Sequence, residues 1–273
     1  MEQLTDRVAV VTGACGGIGR ALVLELARTG MHLVLADLDE QAMRSLASEV
    51  AALGRRCTVV PTDVRHAAQV EHLLAQTLLT HGDCHLMVNN AGVLHAAPLL
   101  EASAEHWQRV VDVNLWGVLH GCRVFGQHFA RQHEGHIVNM ASAGGLFPSP
   151  GMTLYSTTKF AVIGFTQQLR WELAADGVGV TLVIPGLVKT GIFQHAEAGL
   201  GHLDVSLVLR TARSPQGLAR KVRRAVQRDR PIVYYGFEPL LFGIMRVIPS
   251  WLMDPLAKRF TRLVLKLVRA RAR

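Results

Sequence analysis

Short runs of aliphatic and β-branched residues alternate with longer amphipathic stretches along most of the chain. Apolar runs bounded by Gly or polar residues indicate buried strands, and apolar positions three and four apart indicate helices. The predicted strands cover residues 7–12, 32–36, 57–61, 85–88, 136–140, 179–184 and 232–235. The predicted helices cover residues 18–29, 40–53, 67–80, 104–132, 154–175 and 220–228.

This alternation predicts an α/β, doubly wound (Rossmann) fold, with a mostly parallel seven-stranded sheet and helices on both faces. No repeat, low-complexity run or Ser/Pro-rich linker marks a domain boundary. We therefore expect one domain over residues 1–236. Residues 237–273 are expected to form an apolar and basic C-terminal extension that is not an independent domain.

Charge is distributed unevenly, although the whole chain carries a net +8. Residues 1–209 contain 13 Lys and Arg against 18 Asp and Glu, whereas residues 210–273 contain 16 against 3. An apolar stripe at helical spacing runs between the basic residues of the tail and comprises Leu256, Phe260, Leu263, Val264, Leu267 and Val268. Such a helix suits an anionic membrane surface or a partner subunit. No nucleic-acid partner is expected, because no recognition motif accompanies the charge.

Composition narrows further the class of protein to which this chain can belong. Apolar residues make up 49% of the chain and charged residues 18%, as in a packed globular protein. The four cysteines form no C-x-x-C pair, and no His cluster has metal spacing, so we expect reduced thiols and no metal site. The N-terminus lacks the pattern of a signal peptide, and no uncharged apolar run reaches about 18 residues. We expect a cytoplasmic protein, with peripheral membrane contact left open.

A glycine-rich segment, T-G-A-C-G-G-I-G at residues 12–19, lies between the first predicted strand and the first predicted helix. Glycines let the backbone approach a pyrophosphate, and the helix N-terminus directs N–H groups at the phosphates. In this context the segment predicts a dinucleotide site, so residues 1–236 are expected to bind the cofactor and to catalyse. The candidate phosphate-binding residues are Gly13, Cys15, Gly16, Gly17, Ile18 and Gly19.

Asp37 follows the second predicted strand. A carboxylate at this point accepts hydrogen bonds from the adenosine ribose and repels a 2′-phosphate. No Lys or Arg lies in residues 14–17, and Leu38 follows Asp37 where an arginine would meet that phosphate. These features favour NAD over NADP. The alternative role for Asp37 is to cap a helix, which Asp39 could equally do.

Seven segments in order resemble the short-chain dehydrogenase/reductase family, in its shorter single-domain branch. They are T-G-A-C-G-G-I-G at 12–19, D-V at 63–64, N-N-A-G at 89–92, D-V-N-L-W-G at 112–117, Ser142, Y-S-T-T-K at 155–159 and P-G-L-V-K-T at 185–190. The resemblance covers about residues 5–190. The adjacent Gly16 and Gly17 also fit the T-G-x-x-G-x-x-G pattern of the longer branch, which includes sugar epimerases and dehydratases. The N-N-A-G segment and the lack of room for an added sugar-binding domain favour the shorter branch.

The resemblance implies further roles. Asp63, next to Val64, would contact the adenine, and Asn114 would hold a water that links Lys159 to solvent. The implied cofactor-binding residues are Asp63, Val64, Asn90, Ala91, Gly92, Tyr155, Lys159, Pro185, Gly186, Val188 and Thr190. Family members are usually homodimers or homotetramers, so we expect such an assembly, with membrane contact through the basic C-terminal helix as the alternative.

Four residues are the expected catalytic set: Asn114, Ser142, Tyr155 and Lys159. Hydride transfer from an alcohol needs a base near the reacting oxygen, and tyrosine, with a pKa near 10, is a weak one alone. Tyr155 and Lys159 are four apart on a predicted helix, so the ammonium is expected to lower the pKa of the phenol. Ser142 follows a strand at the carboxyl edge of the sheet, where it could hydrogen-bond the substrate oxygen.

The remaining segment near the expected pocket is apolar. Residues 191–213 occupy the place of the family's substrate-covering segment, and their glycines suit a mobile lid. Leu94, Leu146, Phe147, Pro148 and Met152 also lie near the expected pocket. We expect an NAD-dependent oxidoreductase acting on a lipophilic alcohol or ketone; steroid, retinoid, fatty and aromatic substrates all fit. The alternatives are an NADP-dependent carbonyl reductase and a non-catalytic cofactor-binding scaffold at a membrane surface.

Overall fold

The computed structural model describes residues 1–147, 151–190 and 212–245, together with residues 248, 251, 254–255, 258–259 and 262. Seven strands in these residues form one sheet in the order β3-β2-β1-β4-β5-β6-β7. They are β1 (Val8–Thr12), β2 (His32–Asp37), β3 (Cys57–Pro61), β4 (Leu86–Asn89), β5 (Gly135–Met140), β6 (Val178–Pro185) and β7 (Ile232–Tyr235). Every neighbouring pair runs parallel, which confirms the predicted doubly wound sheet.

The described α-helices cover both faces of the sheet. They are α1 (Gly17–Arg28), α2 (Glu40–Ala52), α3 (Ala67–His81), α4 (Ala104–Val111), α5 (Gly117–Gln132), α6 (Thr153–Ala174), α7 (Pro215–Gln227) and α8 (Glu238–Met245). Helices α1, α2 and α7 contribute to the core on one face, and α3, α5 and α6 contribute to the core on the other. The strands are buried on both faces, and this is why they read as continuous apolar runs.

Strand order reverses direction between β1 and β4, which are neighbours in the sheet although two strands separate them in sequence. In open α/β sheets the crevice beyond the carboxyl ends of the strands at such a reversal is the usual ligand site. The glycine-rich segment follows β1 and the N-N-A-G segment overlaps the end of β4, so both border this crevice.

The long helix predicted over residues 104–132 is wrong as a single helix. Helix α4 ends at Val111, a π-helical turn covers Asp112–Trp116, and α5 begins at Gly117. A π turn inserts one extra residue into a helix and recurs at functional sites. Here Gly117 allows close packing, because a Cβ atom at this position would lie 2.7 Å from Cγ2 of Val64.

Helix α7 begins earlier than the predicted residue 220. Ser214 caps it by accepting a hydrogen bond from the Gly217 N–H, and Pro215 occupies the first turn. This Ser-Pro start is a sequence signal for a helix N-terminus.

Several predicted features lie outside the described residues. These are Pro148, residues 191–211 of the substrate-covering segment, and the apolar stripe of the tail at Leu256, Phe260, Leu263, Val264, Leu267 and Val268. Among the helices that are described, none has the length and apolar character needed to cross a membrane. The described His, Cys, Asp and Glu residues form no group that could hold a metal ion.

Candidate active site

The turn after β1 packs so closely that two of its glycines cannot carry a side chain. Gly13 has a φ of +60°, and a Cβ atom there would lie 2.8 Å from Cα of Ala91. A Cβ atom on Gly19 would lie 2.0 Å from the carbonyl oxygen of Gly13. The loop therefore folds back onto the start of α1 and onto the N-N-A-G segment, leaving its backbone accessible to a ligand.

Gly16 and Gly17 differ in the space around them, which resolves the ambiguity between the two glycine patterns. A Cβ atom on Gly17 would meet Cγ2 of Thr190 at 3.0 Å, whereas one on Gly16 would meet only the Gly13 carbonyl oxygen at an ordinary 3.5 Å. Packing thus favours glycine at 13, 17 and 19, which is the pattern of the shorter branch. It also brings Thr190 against the glycine-rich turn.

The N-terminus of α1 fits a phosphate group. Gly16 is its N-cap and supplies no side-chain hydrogen bond, and the first turn contains no acidic residue. The first N–H groups of a helix need acceptors and carry the positive end of the helix dipole. A dinucleotide phosphate can supply those acceptors, so the residues present fit the cofactor that the sequence predicts.

Asn90 and Thr12 join the two segments that border the crevice. Asn90 Nδ2 donates to the carbonyl oxygens of Thr12 and Gly13, at 3.0 and 2.9 Å. Thr12 Oγ1 accepts from the backbone N–H groups of Asn90 and Ala91, at 3.0 and 3.2 Å. Thr12 received no role of its own in the sequence analysis, although it is the only polar residue in β1.

A pair of asparagines, Asn89 and Asn139, lies deeper in the sheet and was not predicted. Asn89 Nδ2 donates to Asn139 Oδ1 at 2.8 Å, and Asn139 Nδ2 donates to Thr166 Oγ1 at 3.1 Å. All three side chains are buried, so these bonds fix β4, β5 and α6 relative to one another. Asparagine in an otherwise apolar strand is the sequence signal that could have identified this pair.

Asp37 lies beside the glycine-rich turn and does not cap a helix. Its Oδ2 accepts from the Cys15 N–H at 2.9 Å and its Oδ1 from the Leu38 N–H at 2.7 Å. Asp39 is the N-cap of α2 and accepts from the Ala42 N–H at 2.9 Å. The capping alternative for Asp37 is therefore wrong, and its carboxylate stands at the carboxyl end of β2, where an adenosine ribose would lie.

Asp63 and Val64 have well-defined neighbours. The Asp63 carboxylate forms an ion pair with Arg65, whose Nε donates to Oδ1 at 3.0 Å and whose Nη2 donates to Oδ2 at 2.6 Å, and this pairing lowers the pKa of Asp63. Val64 is buried, and its carbonyl oxygen lies 3.0 Å from His120 Nδ1. The predicted adenine contact of Asp63 remains a prediction, and Arg65 is a neighbour that the sequence analysis did not include.

Tyr155 and Lys159 lie on one face of α6, as their spacing predicts. The Lys159 Nζ atom is 5.7 Å from the centroid of the Tyr155 ring and donates to the carbonyl oxygen of Met140 at 3.0 Å. Ser142 follows β5 and lies close to Tyr155: a Cβ atom on Gly144 would lie 3.5 Å from Cε1 of Tyr155 and 3.7 Å from Oγ of Ser142. Ser142 Oγ accepts from the Gly144 N–H at 3.2 Å, which holds the hydroxyl at the edge of the sheet.

The pKa of Tyr155 differs from the expectation. Burial raises the pKa of this phenol above its usual value, and the neighbouring Ser142 hydroxyl opposes that rise only in part. The expected lowering by Lys159 is wrong for this structure, in which the ammonium donates to a backbone carbonyl. Burial lowers the pKa of Lys159 itself to about 8. Tyr155 is therefore held protonated at neutral pH, the form that donates a proton.

Asn114 lies in the π turn and is completely buried. A Cβ atom on Gly92 would lie 3.3 Å from Asn114 Oδ1 and 3.6 Å from Lys159 Nζ, so both polar groups flank this glycine. Asn114 Nδ2 also lies 3.4 Å from Thr158 Oγ1, next to Lys159 in sequence. The structure thus brings all four expected catalytic residues to one region, while the water-mediated link from Asn114 to Lys159 remains a prediction.

The segment after β6 meets the turn after β7. The Gly186 N–H donates to the Tyr235 carbonyl oxygen at 2.7 Å, and Val188 pairs with Arg213 in an isolated parallel bridge. A Cβ atom on Gly186 would lie 2.2 Å from Glu238 Oε2, an atom that is buried without a hydrogen-bond partner among the described residues. Glu238 is a polar neighbour of the predicted nicotinamide segment that the sequence analysis missed.

The apolar residues expected near the pocket are partly in the core. Leu94 and Leu146 are buried, and Leu146 belongs to the core beneath α6. Phe147 is half-buried and stacks on Phe242 of α8 with 5.3 Å between ring centroids. Met152 precedes α6 and is half-buried. Of the four residues of this set that the structure describes, Phe147 and Met152 are therefore the ones that keep some exposed surface.

Comparison with known proteins agrees with this geometry. The family model described as short chain dehydrogenase matches residues 7–201. A relative, the probable oxidoreductase EphD of Mycobacterium tuberculosis, is 37% identical over 259 residues, which cover 90% of this chain. The chain spans only 44% of the length of that relative.

Two solved structures show the same fold. A short-chain dehydrogenase/reductase from Burkholderia phymatum in complex with NAD superposes with a TM-score of 0.83 at 34% identity, covering 94% of this chain and 97% of its own. An alcohol dehydrogenase from Thermococcus sibiricus complexed with 5-hydroxy-NADP has a TM-score of 0.74 at 26% identity, covering 85% and 95%. The family match and the sheet order lead to one conclusion: this chain belongs to the short-chain dehydrogenase/reductase family.

Proposed function

We propose that the protein is an NAD(H)-dependent dehydrogenase/reductase that interconverts a lipophilic secondary alcohol and its ketone, with residues 1–236 as the cofactor-binding and catalytic domain. The observation that carries the proposal is the convergence of Ser142, Tyr155 and Lys159 at the carboxyl edge of β5. The Tyr155 ring and Ser142 Oγ both lie next to Gly144, and the Lys159 ammonium lies 5.7 Å from the phenol ring centroid. These are the groups that proton transfer to a carbonyl oxygen needs.

In the direction of ketone reduction, the nicotinamide supplies the hydride when it is bound. Tyr155 Oη donates its proton to the substrate oxygen, and the C=O bond becomes C–OH. Ser142 Oγ hydrogen-bonds the same oxygen as negative charge develops there. Lys159 is anchored by the Met140 carbonyl, and its ammonium group lies 5.7 Å from the phenol ring centroid. Alcohol oxidation reverses these proton movements.

Asp37 supports NAD over NADP as the cofactor. Both of its carboxylate oxygens accept backbone N–H groups, from Cys15 and Leu38, so the acid is held at the edge of the glycine-rich turn. Leu38 is 71% exposed and offers no positive charge to a 2′-phosphate. A fixed carboxylate repels that phosphate and accepts ribose hydroxyls instead. The NAD complex of the relative from B. phymatum is consistent with this choice.

The lipophilic substrate class is supported by the apolar groups around Ser142. Phe147, five residues beyond Ser142 in sequence, stacks on Phe242 of α8, and Met152 directly precedes α6. Aromatic and thioether side chains bind apolar ligand surface through burial and dispersion. We further expect self-association as a homodimer or homotetramer, as the family resemblance implies.

The test is a titration of the purified full chain with NADH and NADPH, followed by turnover of matched ketone pairs. Each pair has one short polar ketone and one long apolar ketone with the same reacting group. We expect NADH to bind at least about tenfold more tightly than NADPH, and the apolar ketone to give the higher kcat/KM. Equal kcat/KM across the pairs would refute the lipophilic substrate, and tighter NADPH binding would refute the cofactor choice.

A further inference from the structure

We propose that the outward face of α8, together with the basic residues that follow it, is a docking surface for an anionic lipid bilayer. Helix α8 has two distinct faces. Pro239 is buried, and Phe242 stacks on Phe147 beside the candidate active site. On the outward side Leu240 is 57% exposed and Ile244 is 60% exposed. The helix is thus anchored to the domain by one face and presents aliphatic side chains on the other.

The exposed apolar residues extend beyond the helix on both sides. Phe237, immediately before α8, is 67% exposed, and Trp251, after it, is 75% exposed. Aromatic residues beside aliphatic ones are characteristic of surfaces that enter the headgroup region of a bilayer, since the rings tolerate both apolar and polar surroundings. Clustered exposed apolar groups of this kind mark interaction sites on protein surfaces.

The positive charge of the C-terminal residues indicates which kind of partner would bind this surface. Lys258, Arg259 and Arg262 are exposed, and residues 210–273 as a whole contain 16 Lys and Arg against 3 Asp and Glu. An anionic bilayer attracts each such residue near its surface. A second copy of this chain would bring the same positive segment to the contact, because a two-fold interface pairs identical patches. Repulsion between like charges therefore favours a lipid surface over self-association here.

The position of α8 links this surface to the site. Its inner face carries Glu238, whose Oε2 lies against Gly186, and Phe242, which lies against Phe147. Docking through the outer face would set the edge of the candidate active site next to the bilayer. A lipophilic substrate dissolves in the bilayer, so docking would place the candidate active site next to its substrate. This consequence rests on the proposed function, whereas the docking itself is independent of it.

The test is flotation of the full chain with vesicles, without turnover. One set of vesicles is phosphatidylcholine alone, and the other is phosphatidylcholine with phosphatidylserine at about three to one. The variant Leu240→Asp/Ile244→Asp removes the apolar contact. Its control is Leu79→Asp, which changes a more exposed leucine (78%) on α3. A second variant, Lys258→Gln/Arg259→Gln/Arg262→Gln, removes three of the basic groups, and thermal unfolding checks that every variant is folded.

We expect the wild type and the Leu79→Asp control to float with the phosphatidylserine vesicles and to be released by high salt. Both the apolar double variant and the basic triple variant should bind at least about tenfold more weakly. Wild-type protein that stays unbound, or a folded double variant that still floats, would overturn the proposal. So would a double variant whose only change is a smaller assembly by light scattering, which would identify the surface as a subunit interface.

Discussion

The side-chain amide of Asn114 hydrogen-bonds both backbone groups of Val93. Asn114 Oδ1 accepts from the Val93 N–H at 2.8 Å, and Nδ2 donates to the Val93 carbonyl oxygen at 2.9 Å. Val93 directly follows the N-N-A-G segment, so this pair ties the loop after β4 to the π turn between α4 and α5. The extra residue of the π turn accounts for how a helical asparagine can reach this loop.

Loss of the Asn114 amide should therefore destabilise the fold as well as the site. Asn114→Leu leaves the N–H and carbonyl groups of Val93 without their partner, at about 1–3 kcal/mol for each buried group. We expect the free energy of unfolding in urea to fall by about 2 kcal/mol or more. The control Gln108→Ala changes an exposed residue on α4 and should shift it by less than about 0.5 kcal/mol. Equal effects of the two variants would contradict the role of this amide.

Lys159 should make stability depend on pH in a way that its removal abolishes. Burial lowers the pKa of Lys159 to about 8 in the folded protein, below the value of 10.5 for free lysine. Between these values the unfolded chain binds more protons, so wild-type stability rises with pH. Relative to Lys159→Met, the wild type should gain about 1 kcal/mol between about pH 8 and 9. A stability difference that stays constant, or that falls with pH, would refute the lowered pKa.

The fold and the grouping of Asn114, Ser142, Tyr155 and Lys159 at one edge of the sheet could be predicted from the sequence, but the electrostatics of these residues could not. Spacing alone puts Tyr155 and Lys159 on one helical face, and the apolar strands predict the sheet. The pKa values of Tyr155 and Lys159 depend on burial and on the hydrogen bonds that these side chains form. Lys159 donates to the Met140 carbonyl oxygen. Those contacts come from distant parts of the chain, and no local pattern encodes them.

The π turn that contains Asn114 and the contact between Glu238 and Gly186 were also missed, because no local sequence pattern marks either of them. Residues 104–132 have helical periodicity throughout, and a π turn adds one residue without a residue type that marks it. Glu238 reaches Gly186 from a helix 52 positions away in sequence, at the end of another strand. By contrast, the roles of Gly16 and Gly17 were left ambiguous because both fit a motif, and only packing against Thr190 distinguishes them.

Alanine substitutions at Gly16 and Gly19, in the glycine-rich segment after β1, should differ in their effect on stability. Gly19→Ala places a Cβ atom 2.0 Å from the Gly13 carbonyl oxygen, whereas the nearest atom to a Cβ on Gly16 lies 3.5 Å away. We expect Gly19→Ala to lower the free energy of unfolding by about 1–3 kcal/mol. Gly16→Ala should leave it within about 0.5 kcal/mol of the wild type. Thermal and urea unfolding compare the pair, and the reverse ranking would contradict the packing of the turn.

Cofactor preference should follow the charge at the end of β2. Asp37→Ala removes the carboxylate that repels a 2′-phosphate, and Leu38→Arg adds a positive group beside it. The double variant should shift the ratio of kcat/KM for NADPH over NADH by at least about 100-fold. Asp39→Asn, which changes the adjacent α2 cap, is the control and should leave that ratio within about threefold. An unchanged ratio in the double variant would remove Asp37 as the determinant.

The central claim is that Tyr155 transfers the proton, with Ser142 beside it at the substrate oxygen. The most direct measurement compares NADH binding and ketone turnover in the wild type and Tyr155→Phe, because this change removes only the hydroxyl group. We predict an NADH Kd within about threefold of the wild type and a kcat lower by about 10²–10⁴-fold. A Tyr155→Phe protein that binds NADH and retains kcat within about tenfold of the wild type would contradict the claim.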